Sequence, residues 1–112
     1  MHRNYLGEFE ELVLLIVAIL DGHAYGVAVL EELESQAGRS ANISAVHAAL
    51  RRLEEKGFEK SGWSEATAER GGRRKRLFNI TNAGRQALEQ SREVYLKLWG
   101  QIPGFSGNIS LS

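Results

Sequence analysis

The stretch NISAVHAALRRLEEKG, residues 42–57, decides the fold. Ile43, Val46, Leu50 and Leu53 recur at spacings of three, four and three, which puts them on one narrow stripe of an α-helix. Asn42 is suited to cap its N-terminus, and Gly57 to stop it. The other face carries Ser44, Ala45, His47, Ala48, Arg51 and Arg52, small at the start and cationic further on. A solvated helix face with two arginines is the plain reading of this pattern. A helix laid in the major groove of duplex DNA is the other. The groove admits an α-helix, and small residues let its backbone approach the bases.

Working upstream from residue 42, a short polar turn follows Gly38, which suits the C-terminal cap of a second helix. That helix starts near Tyr25-Gly26, with Val27, Val29, Leu30 and Leu33 apolar and Glu31, Glu32 and Glu34 expected to face water. Before it, residues 8–20 read as a first helix that ends at Asp21-Gly22. Leu12, Leu15, Ile16 and Ile19 form one apolar ladder, while Val13, Leu14 and Val17 add a second side. A helix apolar nearly all round needs two surfaces to pack on.

Downstream of Gly57 the period changes. Residues 58–64 and 73–80 read as strands, the first with Trp63 and the second with Phe78 and Ile80 on one face. The polar stretch between them ends in Gly71-Gly72, so the pair reads as a hairpin with a flexible tip. Thr81 suits the N-cap of a fourth helix, which runs to about Gln101 before Pro103. Residues 104–112 are Gly/Ser-rich and are expected to form a flexible tail.

The fold class expected is thus mainly α with a small β-hairpin: a winged helix-turn-helix, with a long C-terminal helix suited to dimerisation. Residues 1–80 would form the DNA-binding domain, 81–103 the dimerisation helix and 104–112 the tail. Helix three is the recognition helix of such a pair, and a basic hairpin directly after it is a wing.

The 112 residues are 43% hydrophobic and 25% charged, which suits one packed domain. The longest apolar run, residues 12–20, is under half of the roughly 20 residues that a membrane span needs. Absence of cysteine excludes disulfides and thiolate metal sites. The first residues lack a secretory pattern, so a soluble cytoplasmic protein without membrane association is expected. Net charge is zero, yet Arg70, Arg73, Arg74, Lys75 and Arg76 fall within seven acid-free residues. A local cluster can still hold phosphates, because charges beyond about 8 Å are largely screened at physiological salt. Acids gather elsewhere, at Glu8, Glu10, Glu11 and Asp21 and at Glu31, Glu32 and Glu34.

The expected DNA contacts are therefore Ser44, Ala45, His47, Ala48, Arg51 and Arg52 on helix three, and Arg70, Arg73, Arg74, Lys75 and Arg76 in the wing. Leu88, Val94, Tyr95, Leu98, Trp99 and Ile102 make an apolar stripe on the last helix. Against Leu12, Leu15, Ile16 and Ile19 of a second copy it would close a homodimer; folding back on its own domain is the alternative. Tyr95 and Trp99 are candidate contacts for a small aromatic or hydrophobic effector, with interface core the competing role. No enzyme activity, cofactor or metal site is expected: His2, His23 and His47 fall on separate elements without a paired nucleophile or ligand spacing. The rival function is a winged helix used for protein–protein contact without DNA, which the neutral total charge favours.

The residues also resemble the PadR family of bacterial transcription regulators, over about residues 6–92. The resemblance rests on Leu6-Gly7-Glu8, on Tyr25-Gly26, on LRRLEEKGF at residues 50–58, on GGRRKR at 71–76 and on ITNAGR at 80–85. It implies a dimeric, usually repressing DNA-binding protein, of the compact branch with one C-terminal helix. Some members respond to phenolic or hydrophobic compounds. Two positions depart from the pattern: His47 and Phe78 stand where tyrosine is usual.

Overall fold

The structure is a computed structural model, and it describes residues 6–63 and 75–104. Helix α1 (Glu8–Leu20) opens with Glu8, Glu10 and Glu11 in its first turn, where carboxylates offset the positive end of the helix. It ends at Asp21 and Gly22, with φ of 21° and 90°. A two-residue strand β1 (Ala24–Tyr25) leads into α2 (Gly26–Gln36). Past α2, the Arg39 N–H donates to the Leu33 carbonyl around Gly38.

Helix α3 (Ile43–Glu55) starts where Asn42 Oδ1 accepts the Ala45 N–H at 2.8 Å. It ends in a Schellman motif: the Phe58 N–H bonds Leu53 O and the Gly57 N–H bonds Glu54 O, both at 3.0 Å. Gly57, at φ 81°, takes the left-handed residue that this motif requires. Strands β2 (Glu59–Trp63) and β3 (Arg76–Ile80) follow, then α4 (Asn82–Trp99), capped by the Thr81 hydroxyl.

The sheet is antiparallel in the order β1-β3-β2, with Phe78 opposite both Ala24 and Ser61. The hairpin expected from the sequence thus carries a third strand. Two residues have no periodicity to reveal them, and β1 exists only because β3 supplies its partner edge.

Val13, Leu14, Ile16 and Val17 of α1 meet Val29 and Leu33 of α2, Val46, Ala49, Leu50 and Leu53 of α3, and Ala24, Phe58 and Phe78 from the sheet side. Each fully buried valine or leucine contributes roughly 1.5–3 kcal/mol of transfer free energy. Ile43, expected on the buried stripe of α3, is only half-buried, and Ala49 is fully buried beside it. Val27 of α2 is exposed.

One expectation is corrected here. Ile16 does not lie on the outward ladder of α1; it is buried in the core. Position 16 stands four residues after Leu12 but also three after Val13. In a helix apolar on two sides it falls on the boundary, and the core takes it.

Two charged residues share this interior. Glu10 is buried under Arg52 and Lys56, and Glu59 stands opposite Ile80 at the start of β2. No helix among the described residues is long and apolar enough to cross a membrane.

Candidate nucleic-acid interface

The stripe that buries Val46, Leu50 and Leu53 turns the opposite side of α3 outward. Ser44, His47 and Arg51 are exposed there, with Ala45 and Ala48 half-buried beside them. Spacings of three and four place Ser44, His47 and Arg51 on one line along the helix. They can offer, in order, a hydroxyl, an imidazole and a guanidinium to the same partner.

His47 leans back on α2. A Cβ built on Gly26 would stand 2.7 Å from its Cε1 and 3.1 Å from its Nε2, so only a glycine leaves the ring this place.

Arg52 belongs to another arrangement. Its Nε donates to Glu10 Oε2 at 2.6 Å, while Lys56 Nζ donates to Glu10 Oε1 at 2.6 Å. Burial pushes the Glu10 carboxyl up, but the hydrogen bonds from Lys56, Arg52 and the Gly7 N–H outweigh it and hold the group below the ordinary value. The triad fastens the C-terminal half of α3 to the start of α1. Arg52 is thereby tied to α1 while about half of its side chain, 49%, stays exposed.

At the stem of the wing, Lys75 and Arg76 are exposed, each beside an aromatic ring. The Lys75 ammonium is 5.5 Å from the Tyr25 ring centre, and the Arg76 guanidinium 5.1 Å from that of Trp63. Arg70, Arg73 and Arg74 lie outside the described residues. Exposed Trp63 was not among the expected site residues; its place in register with Arg76 is the signal that marks it.

Helices α1 and α4 expose a second, largely apolar surface. Leu15 and Ile19 of α1 are exposed, as are Val94, Tyr95, Leu98 and Trp99 of α4 and Ile102 after it. Leu12 and Leu88 are partly buried against the core. Leu96, which the helical stripe had not included, is 46% exposed. Between α1 and α4 lies an open groove of about 700 Å³, lined by Leu12, Leu15, Leu88, Tyr95, Leu96 and Trp99 with Glu8, Glu11, Glu89 and Arg92. Among the described residues no group of His, Asp or Glu could hold a metal ion.

Helix, helix, turn, outward helix and two-stranded stem, in that order, describe a winged helix. The profile of the transcriptional regulator PadR-like family matches residues 14–90. The chain belongs to that family. PadR-like proteins are transcriptional regulators and not enzymes.

Solved PadR-like structures share its fold. A PadR family transcription regulator from Clostridium difficile is 24% identical, with 82% of this chain and 91% of that one covered and a TM-score of 0.69. One from Eggerthella lenta is 24% identical over 81% of this chain and 79% of that one, with a TM-score of 0.64. Bacillus subtilis PadR, solved in complex with operator DNA, is 18% identical with a TM-score of 0.63; 75% of this chain and 46% of that one are covered. Comparison with curated sequences gave no match.

Proposed function

We propose that this PadR-like chain is a sequence-specific DNA-binding repressor that binds a palindromic operator as a homodimer in the bacterial cytoplasm. The observation that carries the reading is the line of Ser44, His47 and Arg51 exposed on α3, with exposed Lys75 and Arg76 at the stem and Arg76 joined to α3 through Ser61 and Glu54. Arg51 would read a guanine edge or a phosphate, and His47 and Ser44 would donate to base edges or phosphates. Ala45 and Ala48 let the helix approach. Arg70, Arg73, Arg74, Lys75 and Arg76 would neutralise flanking phosphates, releasing counterions. Bacillus subtilis PadR, of the same fold, has been solved on its operator DNA.

Dimerisation through α4 is supported by its exposed apolar face. Val94, Tyr95, Leu98 and Trp99 are each about half exposed on one helix, too contiguous a patch for a solvated surface. A two-fold dimer presents two equal recognition helices, which is why the operator would be palindromic. Residues 81–103 then act as the dimerisation segment. The groove beside Tyr95 and Trp99 is where a flat aromatic or hydrophobic effector would stack. Repression follows the family resemblance.

Selection of bound fragments from random duplex DNA by the purified protein tests all of this together. The expected outcome is a two-fold symmetric site whose affinity falls steeply with salt. Absence of duplex binding, with salt-insensitive capture of a protein partner instead, would replace this reading by that of a protein–protein module.

A further inference from the structure

Trp63 and Arg76 stand opposite one another across β2 and β3, at the end of the paired register. The guanidinium of Arg76 lies over the Trp63 ring at 5.1 Å from its centre. Arg76 Nε donates to Ser61 Oγ at 3.1 Å. The Ser61 hydroxyl donates in turn to the Glu54 carboxylate, 2.9 and 3.0 Å from its two oxygens. One exposed cation is thus held by an aromatic face, a hydroxyl and, through that hydroxyl, an anion on α3.

We propose that Trp63 and Ser61 are positioning residues that fix Arg76 as a phosphate contact at the root of the wing. The inference rests on the DNA-binding reading above. Three features of the geometry carry it.

The bond to Ser61 uses Nε, on the edge of the guanidinium. It leaves the two terminal nitrogens as the planar fork that suits a phosphate.

The Glu54 charge reaches Arg76 through Ser61. It orients the hydroxyl so that a lone pair meets Nε, and the hydroxyl stands between the two charges.

An exposed arginine loses rotamer freedom when it grips a phosphate. One already stacked and bonded has lost much of it in the free protein. Lys75 shows the same device on the other side of β3, where it lies over Tyr25 of β1. Lys75 and Arg76, adjacent at the start of β3, are therefore each set against a ring supplied by a neighbouring strand.

The test is a double-mutant cycle on duplex binding by the full chain, with the salt slope recorded for each protein. Arg76→Ala is expected to lower affinity and to reduce the salt slope by about one phosphate. Trp63→Ala is expected to weaken binding by about three- to fivefold in the wild-type background and to change nothing in the Arg76→Ala background. Trp63→Phe keeps a ring and should restore most of the loss, with thermal melting unchanged throughout. Ser61→Ala provides the second route, with the same dependence on Arg76, if Trp63→Ala disturbs the fold. Equal losses from Trp63→Ala in both backgrounds, or Trp63→Phe binding no better than Trp63→Ala, would overturn the positioning role alone. A wild-type protein without salt-dependent duplex binding would overturn the DNA reading itself and this inference with it.

Discussion

Gly84 of α4 lies directly on the carbonyl of Phe58: a Cβ built there would overlap that oxygen and stand 2.8 Å from Ile80 Cγ1. The same carbonyl accepts the Thr81 N–H at 3.0 Å, and Thr81 Oγ1 donates to Gly57 O at 2.7 Å while accepting the Gly84 N–H at 3.1 Å. The first turn of α4 is thereby fixed to the junction of α3 and β2. The helix proposed to join two subunits thus starts from the same residues that end the recognition helix.

Gly84→Ala is therefore expected to cost at least about 1–3 kcal/mol, because the clash is with backbone. Thr81→Ala is expected to cost about 1 kcal/mol, the usual loss of a cap. Urea unfolding measures both. A Gly84→Ala protein as stable as wild type would mean that α4 can lift off the strand without loss.

Gly26 and His47 make the opposite case, a close approach against a side chain that can move. A methyl at Gly26 meets the imidazole at Cε1, and His47 is exposed and can swing outward. Alanine is also the better helix residue, by up to about 1 kcal/mol. Gly26→Ala is expected to leave the melting temperature unchanged or higher while lowering operator affinity several-fold. Unaltered affinity would show that the place of His47 against α2 has no part in recognition.

Arg51 and Arg52 are neighbours with different surroundings. Arg52→Ala is expected to cost about 1 kcal/mol of stability, since Glu10 keeps Lys56, and to leave base preference as it was. Arg51→Ala is expected to weaken specific binding by about 1–3 kcal/mol and to flatten preference at one base pair. Uniform weakening across all sequences would assign Arg51 to a phosphate instead. Competition binding against a panel of single base changes separates the two.

Periodicity and caps carried most of the fold. The limits of α1, the caps at Asn42 and Thr81 and the stop at Gly57 are all local chemistry, and each is readable from a few adjacent residues. Arg52 was not readable as structural, because Glu10, which binds it, lies 42 positions away in sequence. Ile16 sits where two helical ladders meet, and only the packing of α2 and α3 decides between them. Trp63 gained its place only when the register put Arg76 opposite it. The burial of Glu59 at the start of β2 has no signal in the residues beside it.

Ile16 of α1 and Trp99 of α4 give a contrast between folding and association. Ile16→Ala removes a core side chain and is expected to cost about 2–5 kcal/mol at any protein concentration. Trp99→Ala, on the exposed face of α4, is expected to leave the monomer folded and to lower the sedimenting mass at micromolar concentration. An unchanged mass for Trp99→Ala would move the proposed dimer contact away from α4.

Glu59 makes stability depend on pH in an unusual direction. Its side chain is 2% exposed, and neither carboxylate oxygen has a hydrogen-bond partner among the described residues. Burial pushes the carboxyl up from 4.5 to about 8, with the Glu54 charge adding to it. At neutral pH the folded chain therefore keeps the proton and the unfolded chain releases it. The stability that goes with that proton is fully present below pH 4.5. It falls as pH rises towards 8, by at most about 1.4 kcal/mol per pH unit, and levels off above. Glu10 acts in the other sense, because its lowered carboxyl loses its contribution as pH falls through its folded value. Glu59→Leu places an apolar group opposite Ile80 and removes the first slope. The variant should gain most over wild type at pH 8 and least near pH 5, read as urea midpoints at three or four pH values. A gain that is the same at every pH would show that this carboxylate is ionised in the folded protein and has a charged or hydrogen-bonding partner there.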